Sequence, residues 1–331
     1  HDIDVVAIND LTEINTIIHL LRYDSVHGRF DGVVEATSGG IKINDKFIRI
    51  TSIREPEKLP WNDVDIAMEC TGYFTKRNDA EKLLLSGANK VLISAPGTDV
   101  DKTIVYGVNE DTLSSKDLIV SNGSCTTNCL APIAKVLNDL AGIKSGYMTT
   151  IHAYTGDQAL HDGDHKDLYR ARAASLSMIP TSTGAARAIS LVLPELTGKL
   201  EGSAIRVPTP NVSLVDLSYI PNRSVSVEEI DAALKSASEG RMNGILNFEN
   251  EPKVSIDSVY YIRCLDRNFT RSLQIVNRRI GKYDVIERLG QGGMAEVYRA
   301  YHATLDRYVA IKVLHSFLAD DPQFRSRFNE E

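Results

Sequence analysis

The chain has 331 residues, of which 43% are hydrophobic and 24% are charged, a composition typical of a folded protein with room for two domains. Its formal net charge of −7 argues against nucleic acid as a partner, and no apolar segment approaches the roughly 18 residues of a membrane span. The four cysteines have no metal-ligand spacing, so we expect no metal site and a reducing compartment, the cytoplasm.

Residues 5–124 alternate short apolar runs with amphipathic stretches, which predicts an α/β fold. Residues 5–9 are predicted to form a strand, which corresponds to the second strand of a dinucleotide-binding half, and Asp10 follows it directly. An acidic residue at this place in a dinucleotide-binding fold accepts hydrogen bonds from the adenosine ribose. A second predicted strand, residues 66–69, is followed by Thr71 and Gly72. Ligands of open α/β sheets bind at such strand ends.

The segment Ser-Asn-Gly-Ser-Cys-Thr-Thr-Asn at residues 121–128 is the most informative in the chain. It lies between an apolar run and a stretch with apolar residues at helical spacing, which predicts strand, tight loop and helix with Cys125 at the helix start. The partial positive charge of a helix N-terminus favours a thiolate, which is the nucleophilic form of cysteine. The alternative for Cys125 is a small buried core residue.

A nucleophilic cysteine needs a base, and His152 follows another strand-like run. With this pair the chain resembles the phosphorylating glyceraldehyde-3-phosphate dehydrogenases. The resemblance is carried, in order, by residues 6–10, 21–28, 70–72, 93–96, 121–128, 151–158, 182–186, 193–196 and 206–210. A related dehydrogenase of erythrose 4-phosphate is disfavoured by residues 182–186, which fit the glyceraldehyde enzyme better.

The resemblance implies a Rossmann-type NAD-binding domain at residues 1–124 and a mixed α+β catalytic domain at residues 125–258. It also implies a glycolytic reaction in which Cys125 forms a thioester from glyceraldehyde 3-phosphate, with NAD as hydride acceptor and inorganic phosphate as the second substrate. His152 would move the protons. The family further implies a homotetramer.

Further site residues are implied by matching positions. The substrate phosphate would bind Thr155, Thr183 and Arg206, and the attacking phosphate would bind Ser124, Thr126 and Gly184. Cofactor contacts would come from Asn9, Asp10, Arg54, Thr71, Gly72, Ser94 and Ala95. Asp10 would repel the 2′-phosphate of NADP, which favours NAD. An anion-site arginine of the family is expected where Tyr169 stands, and whether Arg170 or Arg172 replaces it stays open.

The resemblance to the dehydrogenase family does not extend to either end of the chain. The first strand and the glycine-rich turn that receives the pyrophosphate have no counterpart before residue 5, so we expect weak NAD binding by this chain. After residue 258 the family's closing segment is also missing, and residues 259–279 are interpreted as a connector. The alternative to a working enzyme is therefore a non-catalytic fragment or chimera.

Residues 280–331 resemble the beginning of a bacterial serine/threonine protein kinase N-lobe. Gly290, Gly292 and Val297 fit a glycine-rich loop over ATP phosphates, and Lys312 stands in a Val-Ala-Ile-Lys context. The sequence ends before any catalytic-loop aspartate or metal-binding Asp-Phe-Gly motif. We therefore expect no kinase activity from this segment.

Overall fold

The computed structural model describes residues 3–249, 251–258, 279–280, 283–291, 295–302 and 307–314. The first part of the chain forms a four-stranded sheet of order β1-β6-β5-β4, in which only the β1–β6 pair is parallel. The elements of this part are β1 Ala7–Asn9, α1 Ile14–Arg22, β2 Tyr23–Asp24, β3 Gly28–Arg29, β4 Val34–Thr37, β5 Gly40–Ile43 and β6 Lys46–Thr51, of which β2 and β3 pair with each other in a separate two-stranded sheet. Helix α1 buries Ile18 with apolar residues of β4, β5 and β6.

A second four-stranded sheet has the order β7-β8-β10-β9 and is parallel throughout. It comprises β7 Ile66–Glu69, α2 Arg77–Leu85, β8 Lys90–Ile93, β9 Lys102–Thr103 and β10 Ile119–Ser121. Helix α2 buries Ala80 and Leu83 in the core of this sheet. In the described part of the chain, β1 and β7 each lie at the end of their sheet. The α/β fold predicted for this part is confirmed.

The third sheet is mixed, with the order β12-β13-β11-β14 and one parallel pair, β11–β13. Its elements are α3 Cys125–Ala141, β11 Ile143–Ala153, β12 Ile179–Ser182, α4 Ala185–Val192, β13 Leu200–Val207, β14 Leu214–Pro221 and α5 Val227–Glu239. Apolar residues of all three helices and of the sheet form the largest core. This mixed sheet with its three helices agrees with the α+β fold that was expected for the catalytic domain.

The side-chain alternation of β11 determines what faces the helices. Met148, Thr150 and His152 are buried, whereas Tyr147 on the opposite face is 44% exposed. Because side chains of a strand alternate between faces, the buried Met148 places His152 on the same, helix-packed face. That face is the one against which α3 packs, so the fold brings the strand's histidine to the helix that begins at Cys125.

The described residues after 278 form an antiparallel four-stranded sheet. It comprises β15 Arg279–Ile280, β16 Tyr283–Gln291, β17 Ala295–His302 and β18 Arg307–Leu314. Gly290 pairs with Val297, which in turn pairs with Lys312. Gly292 and residues 259–278, most of the predicted connector, lie outside the described residues.

Short 3-10 helices complete the described elements: Pro56–Lys58, Glu110–Thr112, Pro194–Leu196 and Ser255–Ser258. Nowhere in the described ranges is a helix both long and apolar enough to cross a membrane.

Candidate active site

The loop between β10 and α3 places Cys125 at the first position of its helix. Gly123 turns the chain with φ of 66°, a left-handed conformation that side chains disfavour. The Ser124 side chain then caps α3 by accepting a hydrogen bond from the Thr127 N–H at 3.0 Å. Cys125 is exposed, which excludes the alternative of a buried core thiol. Cys129, one turn further along, packs against the core.

Cys125 and His152 form a direct pair, with 3.1 Å between Sγ and Nε2. The hydrogen bond to His152 lowers the pKa of the Cys125 thiol, and contacts with Thr126 add to this effect, while partial burial opposes it. His152 Nδ1 lies 2.7 Å from the carbonyl oxygen of Ala153, an acceptor that favours a proton on Nδ1. Arg206 Nη1, a donor, lies 3.0 Å from the same Nδ1 and favours the other tautomer. With the proton on Nδ1, Nε2 is the basic nitrogen that faces the thiol.

Arg206 extends the site from the neighbouring strand, since β11 and β13 pair His152 with Arg206. Its Nη1 donates to the Ala153 carbonyl at 3.0 Å and to Thr155 Oγ1 at 3.1 Å. The Nε atom is buried and has no hydrogen-bond partner in the described part of the chain. Burial lowers the pKa of Arg206, although the Asp157 carboxylate raises it. A buried donor of this kind suits an anionic ligand.

Arg170 lies beside the residues of this site. The sequence left open whether Arg170 or Arg172 stands in for the arginine expected at Tyr169. Its Nη1 donates to Asp157 at 2.9 Å and its Nε to Thr181 Oγ1 at 3.0 Å. Arg172 instead pairs with Asp162 at 3.0 Å, and Tyr169 is exposed. Arg170 and Arg206 are close enough for the charge of Arg170 to act on the pKa of Arg206.

The remaining predicted phosphate ligands lie at helix starts. Thr126 is the buried second residue of α3 and contacts the Cys125 thiol. Gly184 precedes α4, and Thr183 Oγ1 accepts from the Ala185 N–H at 3.2 Å. Ser124 Oγ is occupied by its contacts with Thr127, so its hydroxyl serves the helix in this structure.

The predicted cofactor residues follow the carboxyl ends of strands. Asn9 and Asp10 close β1, Arg54 follows β6, Thr71 and Gly72 follow β7, and Ser94 and Ala95 follow β8. The amide of Asn9 is committed to the protein, because it accepts from Ile53 N at 2.9 Å and donates to Ile53 O at 2.9 Å. Asp10 Oδ1 accepts from the Thr12 N–H at 2.8 Å.

Glu69 is a residue of this region that the sequence reasoning missed. It is buried at the end of β7, and its carboxylate accepts from Thr71 N at 2.9 Å and from Gly72 N at 3.0 Å. Gly72 has φ of 74°, and a Cβ there would meet nothing within 4 Å. The turn thus leaves open space at Gly72 beside a strand end, which suits the approach of a dinucleotide. The signal available in the sequence was a carboxylate at the end of an apolar run.

No cluster of three metal-ligating side chains occurs in the described residues. A cysteine at a helix start in contact with a histidine, together with strand ends suited to a dinucleotide, is the arrangement expected of a cysteine-dependent dehydrogenase.

Comparison with known proteins identifies the family. A profile of the glyceraldehyde 3-phosphate dehydrogenase NAD binding domain matches residues 1–77, and one of the C-terminal domain of that enzyme matches residues 124–280. The glyceraldehyde-3-phosphate dehydrogenase of Cereibacter sphaeroides is 59% identical over 256 residues, 77% of each chain. Those of Xanthobacter flavus and Geobacillus stearothermophilus are 58% identical over 258 and 57% identical over 259 residues, again 77% of each chain.

The chain therefore belongs to the glyceraldehyde-3-phosphate dehydrogenase family, whose members are NAD-dependent oxidoreductases. The predicted family and cofactor are confirmed. The C-terminal match reaches residue 280, beyond the end that was expected at residue 258, and neither profile extends to residues 281–331.

Proposed function

We propose that the chain catalyses the oxidative phosphorylation of glyceraldehyde 3-phosphate at Cys125, with His152 as the general base. The observation that carries this assignment is the 3.1 Å contact between Cys125 Sγ and His152 Nε2 at the start of α3. Contact with His152 lowers the pKa of the thiol, which increases the thiolate population at neutral pH.

His152 takes the proton of the Cys125 thiol, and the thiolate attacks the aldehyde carbon, so that an S–C bond forms and the C=O π bond breaks. The protonated His152 returns its proton to the carbonyl oxygen, which becomes the hydroxyl of a hemithioacetal. His152 Nε2 then removes the hydroxyl proton while the C–H bond breaks. NAD, when bound, accepts the hydride released in this step. A thioester on Cys125 remains, and phosphate attacks its carbonyl carbon. The C–S bond breaks, the thiolate is regenerated and the acyl phosphate leaves.

Arg206 and Thr155 are assigned to the phosphate of the substrate, together with Thr183. The buried, unpartnered Nε of Arg206 supports this role, because an anion would satisfy it. Ser124, Thr126 and Gly184 are assigned to the attacking phosphate. We add Arg170 to these donors, because its contact with Asp157 keeps it beside Thr155.

For the cofactor, Asp10 is assigned to the adenosine ribose and Arg54, Thr71, Gly72, Ser94 and Ala95 to the remaining contacts. Asn9 is assigned an indirect role in cofactor binding. Its amide makes two hydrogen bonds with the backbone of Ile53 and so positions the neighbouring Arg54. Residues 1–124 would hold NAD and residues 125–258 the substrates. We assign the enzyme to the cytoplasm.

We infer a homotetramer, in which further copies of this chain cover two apolar surfaces. One is the sheet face of β11 that exposes Tyr147, and the other is the segment 154–178, which exposes Leu160, Leu168, Leu176 and Met178. Exposed apolar surface of this extent favours association. Light scattering during size-exclusion chromatography should give the mass of four copies, and a monomer would contradict the inference.

The activity is tested by following NADH formation from glyceraldehyde 3-phosphate, NAD and phosphate. Cys125→Ser should abolish it, whereas Cys70→Ser, which removes another exposed cysteine, should retain it. In a rapid-mixing experiment without phosphate, the burst of NADH should equal the amount of Cys125. A wild-type chain that folds but forms no NADH would favour the alternative, an inactive chimera.

A second proposal concerns residues 280–331, as the beginning of a protein kinase N-lobe. It is supported by the antiparallel sheet in which Gly290 is opposite Val297 and Val297 opposite Lys312, the order expected for the first kinase strands. Titration with magnesium ATP tests the nucleotide site, and Lys312→Met should abolish any binding.

A further inference from the structure

Asp157 occupies the centre of the anion-binding donors. The Thr155 hydroxyl donates to its Oδ1, and Arg170 Nη1 donates to its Oδ2 at 2.9 Å. His165 Nε2 lies 3.7 Å from the same Oδ2. Partial burial raises the pKa of Asp157, but the Thr155 hydroxyl and the charges of Arg206 and Arg170 outweigh this effect and lower it.

Of these residues, Thr155, Arg170 and Arg206 are donors that the proposed function assigns to a phosphate group. Thr155 has one hydroxyl hydrogen, and in this structure it points to the Asp157 carboxylate. Arg170 is held by the same carboxylate and also lies 3.7 Å from Asp167, so it keeps a counter-charge without Asp157. A carboxylate in this position uses hydrogen bonds that a phosphate oxygen would otherwise accept.

The positive charges of Arg170 and Arg206 give the Asp157 carboxylate a structural role. Their charges repel, and the repulsion acts on Arg206, which is already partly buried. Asp157 offsets the repulsion and keeps both side chains near Thr155 when no anion is bound. When a phosphate enters, the same negative charge opposes it.

We propose that Asp157 is an intramolecular competitor of the substrate phosphate, a positioning residue that assembles Thr155, Arg170 and Arg206 but weakens the site for anions. The inference rests on the proposed function, because the competing ligand is the phosphate group of that substrate. Its consequence is a site that is ordered before binding and that releases a phosphorylated product readily. Loss of the carboxylate should therefore tighten anion binding.

The test is a calorimetric titration of the Cys125→Ser chain with inorganic phosphate, which needs no catalysis. Asp157→Asn should lower the Kd by about fivefold to tenfold, the effect of one charge at short range near a protein surface. The matched control is Asp162→Asn, which removes the carboxylate of another Asp–Arg pair in the same segment. This control should leave the Kd unchanged. Asp157→Ser repeats the test if the asparagine variant does not fold.

An unchanged or higher Kd in both Asp157 variants would overturn the inference. With Cys125 restored, Asp157→Asn should lower the KM for glyceraldehyde 3-phosphate by a similar factor without raising kcat, a split that a general loss of structure would not produce. The proposed function is tested by a different result: a wild-type chain that forms no NADH would contradict it, whatever the phosphate titration gives.

Discussion

His152 and Arg206 lie side by side on parallel strands, with 3.0 Å between His152 Nδ1 and Arg206 Nη1. Both nitrogens also approach the carbonyl oxygen of Ala153. The base of the Cys125 pair and the main candidate for phosphate binding are thus fixed to one point of the backbone. Substrate binding and proton transfer share a rigid support, which favours a reproducible geometry between them.

Replacement of Arg206 by lysine should reduce kcat/KM for glyceraldehyde 3-phosphate by about tenfold to a hundredfold, because a charge-assisted hydrogen bond contributes about 1.5–3 kcal/mol. Lysine keeps the charge but loses the planar fork that contacts Ala153 and Thr155. Steady-state kinetics measure the effect. Arg172→Lys, in an exposed pair with Asp162, is the control and should leave the rate unchanged. Equal rates for both variants would remove Arg206 from the phosphate site.

The alkylation of Cys125 by iodoacetamide should depend on pH with a midpoint below the ordinary thiol value, because the folded site lowers its pKa. A lowered thiol pKa means that the thiolate, and so the reaction rate, persists to lower pH than in the unfolded chain. His152→Asn should move the midpoint upward, since the hydrogen bond to His152 is the largest cause. Mass spectrometry of the alkylated peptide against pH checks this, with the urea-unfolded chain as reference. Identical midpoints in both states would contradict the assignment.

Gly123→Ala should destabilise the fold by about 1 kcal/mol, because an L-residue in the left-handed region is strained. The cause is strain alone, since the added Cβ would lie 3.6 Å from Thr127, an ordinary contact. Gly156→Ala is the matched control: no atom lies within 4 Å of its Cβ position, and its φ is not in the left-handed region. Urea unfolding of the two variants measures the difference, and equal midpoints would exclude backbone strain at Gly123.

Glu69→Gln should weaken NAD binding by about tenfold, since one of two carboxylate acceptors becomes an NH2 group and the turn at Thr71 and Gly72 loses a hydrogen bond. Fluorescence titration with NAD provides the measurement. Glu35→Gln on β4, where the side chain is exposed, should bind NAD as the wild type does. If the two variants bind equally well, the turn does not depend on the buried carboxylate.

The sequence predicts this site best where local chemistry determines structure. The apolar spacing after Cys125 and the capping serine before it define the start of α3, and alternation in β11 places His152 on the buried face. Both features depend on neighbours in the chain, so their signals are local. The family resemblance then supplies the pairing of two residues that no periodicity connects.

The sequence predicts the arginine of the site poorly because segment 154–178 has no periodic pattern that could orient its side chains. Arg170 reaches the site through Asp157 and Thr181, contacts that exist only after folding. For the same reason, the sequence does not predict the hydrogen bonds that the hydroxyl of Ser124 and the amide of Asn9 make within the protein. The buried role of Glu69 likewise depends on a turn that its own carboxylate stabilises.

The position of β1 and β7 has a consequence for handling the protein. In the described part of the chain each strand has a hydrogen-bonded neighbour on one side only, and Ile66 and Met68 on β7 are exposed. Backbone donors and acceptors on the other side are available to any extended chain of suitable register. The two strands are therefore places at which concentrated solutions would begin to aggregate, and at which a short β-forming peptide would act as a solubilising additive.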